Sequence, residues 1–202
     1  GNVNINSTVT NDGVTYSVIK IGDYAFAGCS SLFSVILPEG LQSIGSGGFS
    51  GCTSLASISI PSTVKELGTR SFSACSQLNN ISLSSGLEIM GDYCFSGCSS
   101  IEEITIPSSV LILGNYCFSG CTKITSMSLP SGVTQIGEFC FNECIALESL
   151  QLPSELNALP SSFISGCKKL ISFTIPETVT SLGSKCFSGC FIEELRIPQS
   201  VT

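Results

Sequence analysis

The sequence contains no histidine and no tryptophan, and only 11% of its 202 residues are charged. Without histidine, neither a Ser–His nor a Cys–His nucleophilic pair can form, and a zinc site would lack its usual nitrogen ligand. Eight lysines and arginines stand against 15 acidic residues, and this net charge of −7 argues against a nucleic-acid partner. No apolar run approaches the roughly 18 residues of a transmembrane helix, so we expect no membrane insertion by this segment. The 43% hydrophobic content argues against a disordered chain.

Cysteine and phenylalanine recur with a fixed period of 23 residues. The eight periodic cysteines are Cys29, Cys52, Cys75, Cys98, Cys121, Cys144, Cys167 and Cys190. An aromatic residue precedes each cysteine by three positions, at Phe26, Phe49, Phe72, Phe95, Phe118, Phe141 and Phe187, and Ile164 is the exception. Such a period is typical of stacked repeats, in which each unit buries its apolar face only against its neighbours. We therefore predict a single solenoid of eight units.

Each unit predicts a short β-strand followed by a turn. Apolar residues recur three, six, eight, twelve and fifteen positions after each cysteine. In the unit of Cys98, the alternation over residues 104–106 predicts a strand with one buried face, and Pro107 ends it because proline cannot donate to a ladder. The glycine after the fifteenth position, Gly114 here, predicts a corner with a positive φ. Between this glycine and the next cysteine we predict about one helical turn.

Two units depart from this pattern. Leu159-Pro160 stands where the other units place the glycine, and since proline cannot adopt a positive φ we expect a different bend at this corner. In the same unit, Phe163-Ile164 replaces the usual small residue and phenylalanine. The unit of Cys190 is one residue shorter than the others. We interpret these changes as local packing adjustments, with a recognition feature as the alternative.

The two ends of the chain differ from its middle. Residues 1–14 form an N-terminal segment, and the Asn11-Asp12-Gly13 turn predicts a β-hairpin there that covers the open end of the stack as a cap. Residues 15–202 form the repeat array. Its first unit is incomplete, because Val18 and Ile21 match the apolar positions twelve and fifteen after a cysteine that is missing. The sequence stops halfway through a unit, so we expect the array to be truncated at its C-terminus.

The repeat Cys-x-x-Leu-x-x-Ile-x-Ile-Pro-x-x-Val-x-x-Ile-Gly-x-x-x-Phe-x-Gly resembles the BspA-like leucine-rich repeats, also called the Treponema pallidum type. The resemblance covers roughly residues 15–202. It implies a right-handed leucine-rich-repeat solenoid with its strands on the concave side. It also implies proteins displayed on the surface of mucosal bacteria and protozoa and credited with adhesion. The family has no catalytic residues to place on this chain.

Four further cysteines lie four positions before a periodic one, at Cys94, Cys117, Cys140 and Cys186. Other units have Ala25, Gly48 or Ser71 in that place, so it requires a small residue. We therefore favour free, buried thiols that behave as small hydrophobic side chains. Two alternatives stay open. Disulfides could join adjacent units, and zinc could bind the thiols, although neither histidine nor the usual ligand spacing supports it.

The acidic pairs Glu102-Glu103 and Glu193-Glu194 lie between buried strand positions and are more simply solvated strand edges than catalytic carboxylates. We expect no catalytic residue, no cofactor and no metal. The outward-facing strand positions vary between units while the buried ones barely change, so specificity can vary there without cost to the core. Our partner-binding candidates are Phe33 and Ile36 as an apolar anchor, with Asn79, Asn80, Glu102, Glu103, Glu148, Glu193, Glu194 and Arg196 as polar contacts.

These observations predict a non-enzymatic module that binds a protein or a glycan. We interpret it as the adhesive ectodomain of a microbial cell-surface or secreted protein. The alternative is a cytoplasmic scaffold for protein–protein interaction, which reduced thiols would favour. The sequence does not fix the oligomeric state.

Overall fold

The computed structural model describes all 202 residues and contains eighteen β-strands and no helix. In chain order the strands are Asn2–Asn4 (β1), Thr8–Asn11 (β2), Val14–Ser17 (β3), Lys20–Ile21 (β4), Ser34–Ile36 (β5), Ser43–Ile44 (β6), Ser57–Ser59 (β7), Glu66–Leu67 (β8), Asn80–Ser82 (β9), Ile89–Met90 (β10), Ile112–Leu113 (β11), Ser126–Ser128 (β12), Gln135–Ile136 (β13), Ser149–Gln151 (β14), Ala158–Leu159 (β15), Ser172–Thr174 (β16), Ser181–Leu182 (β17) and Glu194–Arg196 (β18). Apart from β2 and β3, they build a β-solenoid of about eight turns.

Two rows of parallel strands run along the solenoid. The first face is the row of three-residue strands, made of β1 and of one strand after every periodic cysteine except Cys98: β1, β5, β7 and β9, then β12 and β14, then β16 and β18. The second face is the row of two-residue strands that precede the repeat glycine: β4, β6, β8, β10, β11 and β13, then β15 and β17. Partners lie one unit apart, as in Ser57 with Asn80. The shortened last unit keeps this pairing with a 22-residue step, from Ser172 to Glu194.

The predicted helical turn is wrong. Between the repeat glycine and the next cysteine, successive backbone N–H groups donate alternately to a carbonyl three residues back in the same unit and to a carbonyl of the next unit. Ala25 N–H donates to Gly22 O, whereas Phe26 N–H donates to Gly48 O. A helix needs consecutive bonds to the residue four back, and here every second donor leaves the unit. The result is a series of tight turns that adds a third hydrogen-bonded ladder to the stack.

The repeat glycines do not have the predicted positive φ. That conformation belongs instead to two other places in each unit, exemplified by Tyr116 (φ 55°) and Gly120 (φ 73°). The repeat glycine is needed because the units approach closely. A Cβ on Gly91 would lie 2.8 Å from Thr69 N and 2.9 Å from Gly68 C, which are backbone atoms of the preceding unit.

The effect of Pro160 therefore has a cause other than the predicted one, which was the φ angle. In neighbouring units the glycine N–H donates to a carbonyl of the preceding unit, as Gly137 does to Leu113 O and Gly183 to Leu159 O, each within 2.8 Å. Proline has no N–H to donate in this place. The second face is interrupted at this unit, between β13 and β15.

The core is one continuous cluster of 48 buried residues, built around a ladder of phenylalanine rings. From Phe26 to Phe141 successive rings stack 5.0–5.8 Å apart with interplanar angles of at most 10°. Phe163 then meets Phe141 edge-on, at 5.6 Å and 80°, and is fully buried together with Ile164. The departure seen in the sequence therefore keeps an aromatic ring in the core by shifting it one residue.

The N-terminal hairpin forms between β2 and β3 around Asp12-Gly13. Both of its strands are exposed along their whole length. The element that stacks on the first complete unit is β1, whose residues Asn2–Asn4 pair with Ser34–Ile36. Ile5 N–H continues this ladder to Ile36 O, and the hairpin leaves the solenoid between Ile5 and β4.

Candidate partner-binding surface

The outer surface of the first face is free of any packing role. In β14, for example, Leu150 is buried while Ser149 and Gln151 are exposed, and the same alternation holds in β7, β12 and β16. This pattern follows from the two-residue period of a strand. Side chains on this surface differ from unit to unit without disturbing the core.

The predicted apolar anchor lies at the N-terminal end of this surface. Phe33 is 57% exposed and Ile36 is 63% exposed, so neither contributes to the core. Asn79 and Asn80 are also exposed, and β7 separates their strand β9 from β5. These four residues therefore share one surface, although they do not form a single pocket.

Two of the predicted acidic contacts are already in ion pairs. Glu102 binds Lys123 at 3.2 Å and Glu148 binds Lys169 at 3.1 Å. In both pairs a lysine two positions after a cysteine reaches a glutamate of the preceding unit. Arg196 contacts Glu177 at 3.5 Å. Exposed pairs of this kind stabilise a protein by about 0–1 kcal/mol. Glu103, Glu193 and Glu194 form no ion pair.

Three clefts open on this surface between neighbouring units. The largest, about 590 Å³, lies between β14 and β16 and includes Glu148, Ser172 and Thr174. A second, of about 550 Å³, shares the β16 wall and includes Glu193, Glu194 and Arg196. A third, of about 490 Å³, contains Glu103. Glu148 and the group at β18 therefore lie in two clefts on either side of β16, whereas Phe33, Ile36, Asn79, Asn80 and Glu102 line none of the three.

The clefts beside Glu103 and Glu148 coincide with interruptions of the first face. Residues 101–106 form no strand, and β14 does not pair with β16. Strand edges that lack a partner present backbone N–H and C=O groups. A cleft of several hundred Å³ that combines such groups with hydroxyls and carboxylates has the size and polarity of a recognition site.

The cysteines do not add chemistry to this surface. All twelve are free, and ten of them are buried. The prediction of buried periodic thiols is wrong for Cys29, which is exposed in the first complete unit, and Cys190 is only partly buried. From the second complete unit on, the periodic thiol donates to a carbonyl one unit back, as Cys98 Sγ does to Phe72 O at 3.1 Å.

Burial makes these thiols poor nucleophiles. Desolvation is the main cause that raises the pKa of Cys52 and of Cys144 to about 12. The thiolate is the reactive form, so the buried groups stay protonated at neutral pH. No group of three or more cysteine or carboxylate side chains has an arrangement that could hold a metal ion. No helix of the structure has the length and apolarity needed to cross a lipid bilayer.

The sequence interpretation missed a second surface feature, which lies on the turns. Tyr93, Tyr116 and Phe139 occupy equivalent places in successive units and stack 4.6 and 4.5 Å apart, nearly parallel. The guanidinium of Arg70 covers Tyr93 at 4.7 Å. We call these four residues the aromatic strip. Its signal in the sequence is an aromatic residue two positions after the repeat glycine in three consecutive units.

Every member of the aromatic strip has a positive φ of 55–58°. This conformation costs a non-glycine residue about 1–2 kcal/mol, and Gly47 occupies the same place in another unit. Aromatic stacking offsets part of this cost, because each stacked pair stabilises the fold by about 0.5–1.5 kcal/mol. The strip thus places large side chains where glycine would be easier to accommodate.

Sequence and structure comparisons agree with this architecture. The profile of the BspA type leucine rich repeat region matches residues 2–113 and 88–202. The chain therefore belongs to the BspA-type leucine-rich repeat family. No curated protein matches it in sequence.

Solved structures from bacteria share its fold. A leucine-rich repeat protein from Bacteroides ovatus is 30% identical, with a TM-score of 0.81, over 99% of this chain and 46% of that protein. The Treponema pallidum leucine rich repeat protein is 29% identical, with a TM-score of 0.69, over 94% of this chain and 76% of the other. A leucine-rich repeat protein from Eubacterium ventriosum is 20% identical, with a TM-score of 0.64, over 91% of this chain and 64% of that protein. This similarity shows the fold alone. The chain spans less than half of the Bacteroides ovatus protein.

Proposed function

We propose that this chain is a non-enzymatic binding module whose first face contacts a protein or glycan partner. The observation that supports this is the separation of roles on each strand, where one side chain packs inward and its neighbours vary freely outside. An extended surface of this kind is the part of a solenoid that can recognise a partner. Family membership supports a binding role, since leucine-rich repeats serve mainly as binding scaffolds.

Within this proposal, Phe33 and Ile36 form an apolar anchor at one end of the face. At the other end, Glu148, Glu193, Glu194 and Arg196 lie in or beside the two clefts that share β16. Asn79, Asn80, Glu102 and Glu103 lie between these regions. A partner that spans the face would bury apolar surface at Phe33 and satisfy the polar groups further along.

We further propose that the module acts in adhesion at a cell surface or as a secreted protein. The bacterial relatives and the family resemblance support this setting. One observation favours the second candidate, a cytoplasmic scaffold: all twelve cysteines are free, whereas disulfides are typical of oxidising compartments. Because the buried thiols are protonated and inaccessible, they would also survive outside the cell.

The first-face proposal is tested with two matched triple variants. The chain is applied to arrays of extracellular-matrix proteins and of glycans, and the affinity of each positive partner is measured. Phe33→Ser, Glu102→Gln and Glu148→Gln change the first face. Leu111→Ser, Glu66→Gln and Glu88→Gln likewise replace one exposed apolar side chain by serine and two glutamates by glutamine beside or in the second. We expect the first triple to weaken binding at least about tenfold, which corresponds to about 1.4 kcal/mol.

The second triple should leave the affinity unchanged. Both should keep the free energy of unfolding within about 1 kcal/mol of the parent, as surface changes do. Equal affinity for all three proteins, or a loss confined to the second triple, would exclude the first face as the site.

A further inference from the structure

The aromatic strip has a polar row directly beside it. Asp92 and Asn115 precede Tyr93 and Tyr116 in the chain, and Glu138 precedes Phe139. Asp92 Oδ1 accepts from Asn115 N–H at 2.7 Å, and Asn115 Oδ1 accepts from Glu138 N–H at 2.8 Å. Each of the first two side chains is thereby fixed by one atom. Their other atoms, Asp92 Oδ2 and Asn115 Nδ2, make no hydrogen bond within the protein.

Backbone bonds hold the strip and the polar row together. Tyr93 N–H donates to Asn115 O at 2.7 Å and Tyr116 N–H donates to Glu138 O at 2.8 Å. Desolvation is the main cause that raises the pKa of the Tyr116 hydroxyl, and the neighbouring Tyr93 and then Glu138 add to it. The side chains of both rows are therefore held at a regular spacing before any ligand arrives, which lowers the entropic cost of binding.

Arg70 gives this surface its one free cation. Its guanidinium carbon lies over the Tyr93 ring, 4.7 Å from the ring centroid, and the guanidinium takes part in no ion pair and no hydrogen bond. An arginine in this state offers a planar fork that fits a carboxylate through two parallel hydrogen bonds. The edges of aromatic rings carry partial positive charge. A free guanidinium beside a row of such rings attracts an oxygen-rich, anionic ligand.

The neighbouring carboxylates decide between two such ligands. Asp92 and Glu138 would repel a run of acidic side chains in a peptide, because like charges that lie close together repel each other. The same carboxylates accept hydrogen bonds from hydroxyl groups, and the free Asn115 amide donates to them. A sugar chain with a carboxylate at one end and hydroxyls elsewhere satisfies all of these groups.

We propose that the aromatic strip binds an acidic oligosaccharide, whose carboxylate pairs with Arg70 and whose hydroxyls bond to Asp92 and Asn115. The strip offers three successive steps of 4.7, 4.6 and 4.5 Å for a short, extended chain. This surface is separate from the first face, so the proposal does not depend on the proposed function.

The probe is sialyllactose, a trisaccharide whose single carboxylate lies on its terminal sugar, titrated into the whole 202-residue chain and followed by calorimetry and NMR. Its methyl ester serves as the neutral sugar, and tetraglutamate serves as the acidic peptide. The matched variants are Arg70→Gln and Lys185→Gln. Lys185 has the same place in its unit and the same φ of 57°, and it also forms no ion pair. A second pair is Tyr116→Gly and Tyr24→Gly, in which glycine suits the positive φ at both positions.

We expect sialyllactose to bind with a dissociation constant at or below about 1 mM, and we expect Arg70→Gln and Tyr116→Gly to weaken this binding at least about tenfold. Lys185→Gln and Tyr24→Gly should leave binding unchanged, and the methyl ester should bind at least about tenfold more weakly. No binding at this concentration, equal binding of the ester or of tetraglutamate, or an equal loss in both members of a pair would overturn the proposal. NMR spectra of each variant verify that it is folded.

Discussion

The two Gly-Asp-Tyr sequences at residues 22–24 and 91–93 provide a direct test of how the units stack. Gly22 and Gly91 both have a φ outside the left-handed region. Gly91 lies against the preceding unit, where an added Cβ would be 2.8–3.0 Å from three backbone atoms. Gly22 has no such neighbour, and an added Cβ would meet nothing within 4 Å. The same substitution to alanine should therefore have opposite effects.

Gly91→Ala must push two units apart. The Cβ needs about 3.4 Å, so the backbone has to move by about half an ångström, which also strains the 2.8 Å bond from Gly91 N–H to Leu67 O. Overpacking of this kind costs about 1–3 kcal/mol, and a weakened hydrogen bond adds about 1 kcal/mol. We expect a loss of about 2–4 kcal/mol. Gly22→Ala should stabilise the chain by about 0.4–1 kcal/mol, because alanine reduces the freedom of the unfolded state.

Urea unfolding followed by circular dichroism measures the global effect. A terminal unit of a repeat array can open on its own, so amide hydrogen exchange at Gly45, which donates to Ile21 O, reports the stability around Gly22. Gly97→Ala is a third case, since Gly97 has a φ of 74° and an added Cβ would make only ordinary van der Waals contacts, at 3.6 Å and 3.8 Å from Ala74; it should lose about 1–2 kcal/mol from backbone strain alone. If Gly22→Ala and Gly91→Ala lost the same stability, close stacking would not be the reason for the repeat glycine.

Three further predictions concern the core and the thiols. Phe118→Ala removes a fully buried ring and should cost about 3–5 kcal/mol in urea unfolding, whereas Phe33→Ala should stay within about 0.5 kcal/mol; equal losses would contradict the assigned burial. Burial raises the pKa of Cys144 to about 12, so this thiol ionises first in the unfolded chain. Its contribution to stability should be constant below about pH 8.5 and be lost as pH rises towards 12, so the fall in stability over this range should be smaller in Cys144→Ala. A thiol reagent should label exposed Cys29 rapidly in the native protein and all twelve cysteines in the unfolded, non-reduced chain, whereas fewer than four labelled groups would show a bridged ladder.

The repeat itself could be predicted in detail because one constraint governs every unit. A period of 23 residues with invariant apolar positions leaves a single way to bury them, and the strands around Val35, Ile58 and Ile81 lie where the alternation predicts. The family resemblance and the solenoid are confirmed. The shortened last unit also keeps its predicted strand, since Phe173 still pairs with Leu195.

The turn could not be predicted in the same way. Its sequence is compatible with a helical turn, and only the adjacent unit supplies the carbonyls, such as Gly48 O, that draw every second N–H away from the helix. The role of the repeat glycine has the same origin, because the atoms that exclude a side chain at Gly91 belong to Leu67, Gly68 and Thr69 of the preceding unit.

The sequence by itself determined the period, the core and the outward positions of the first face, because these follow from local alternation repeated along the chain. Only the tertiary structure decided which outward residues meet. It paired Glu102 with Lys123 and Glu148 with Lys169, opened the clefts beside β16, and stacked Arg70, Tyr93, Tyr116 and Phe139 into one strip. These contacts join residues of different units, and their distances depend on how closely and in what register the units stack.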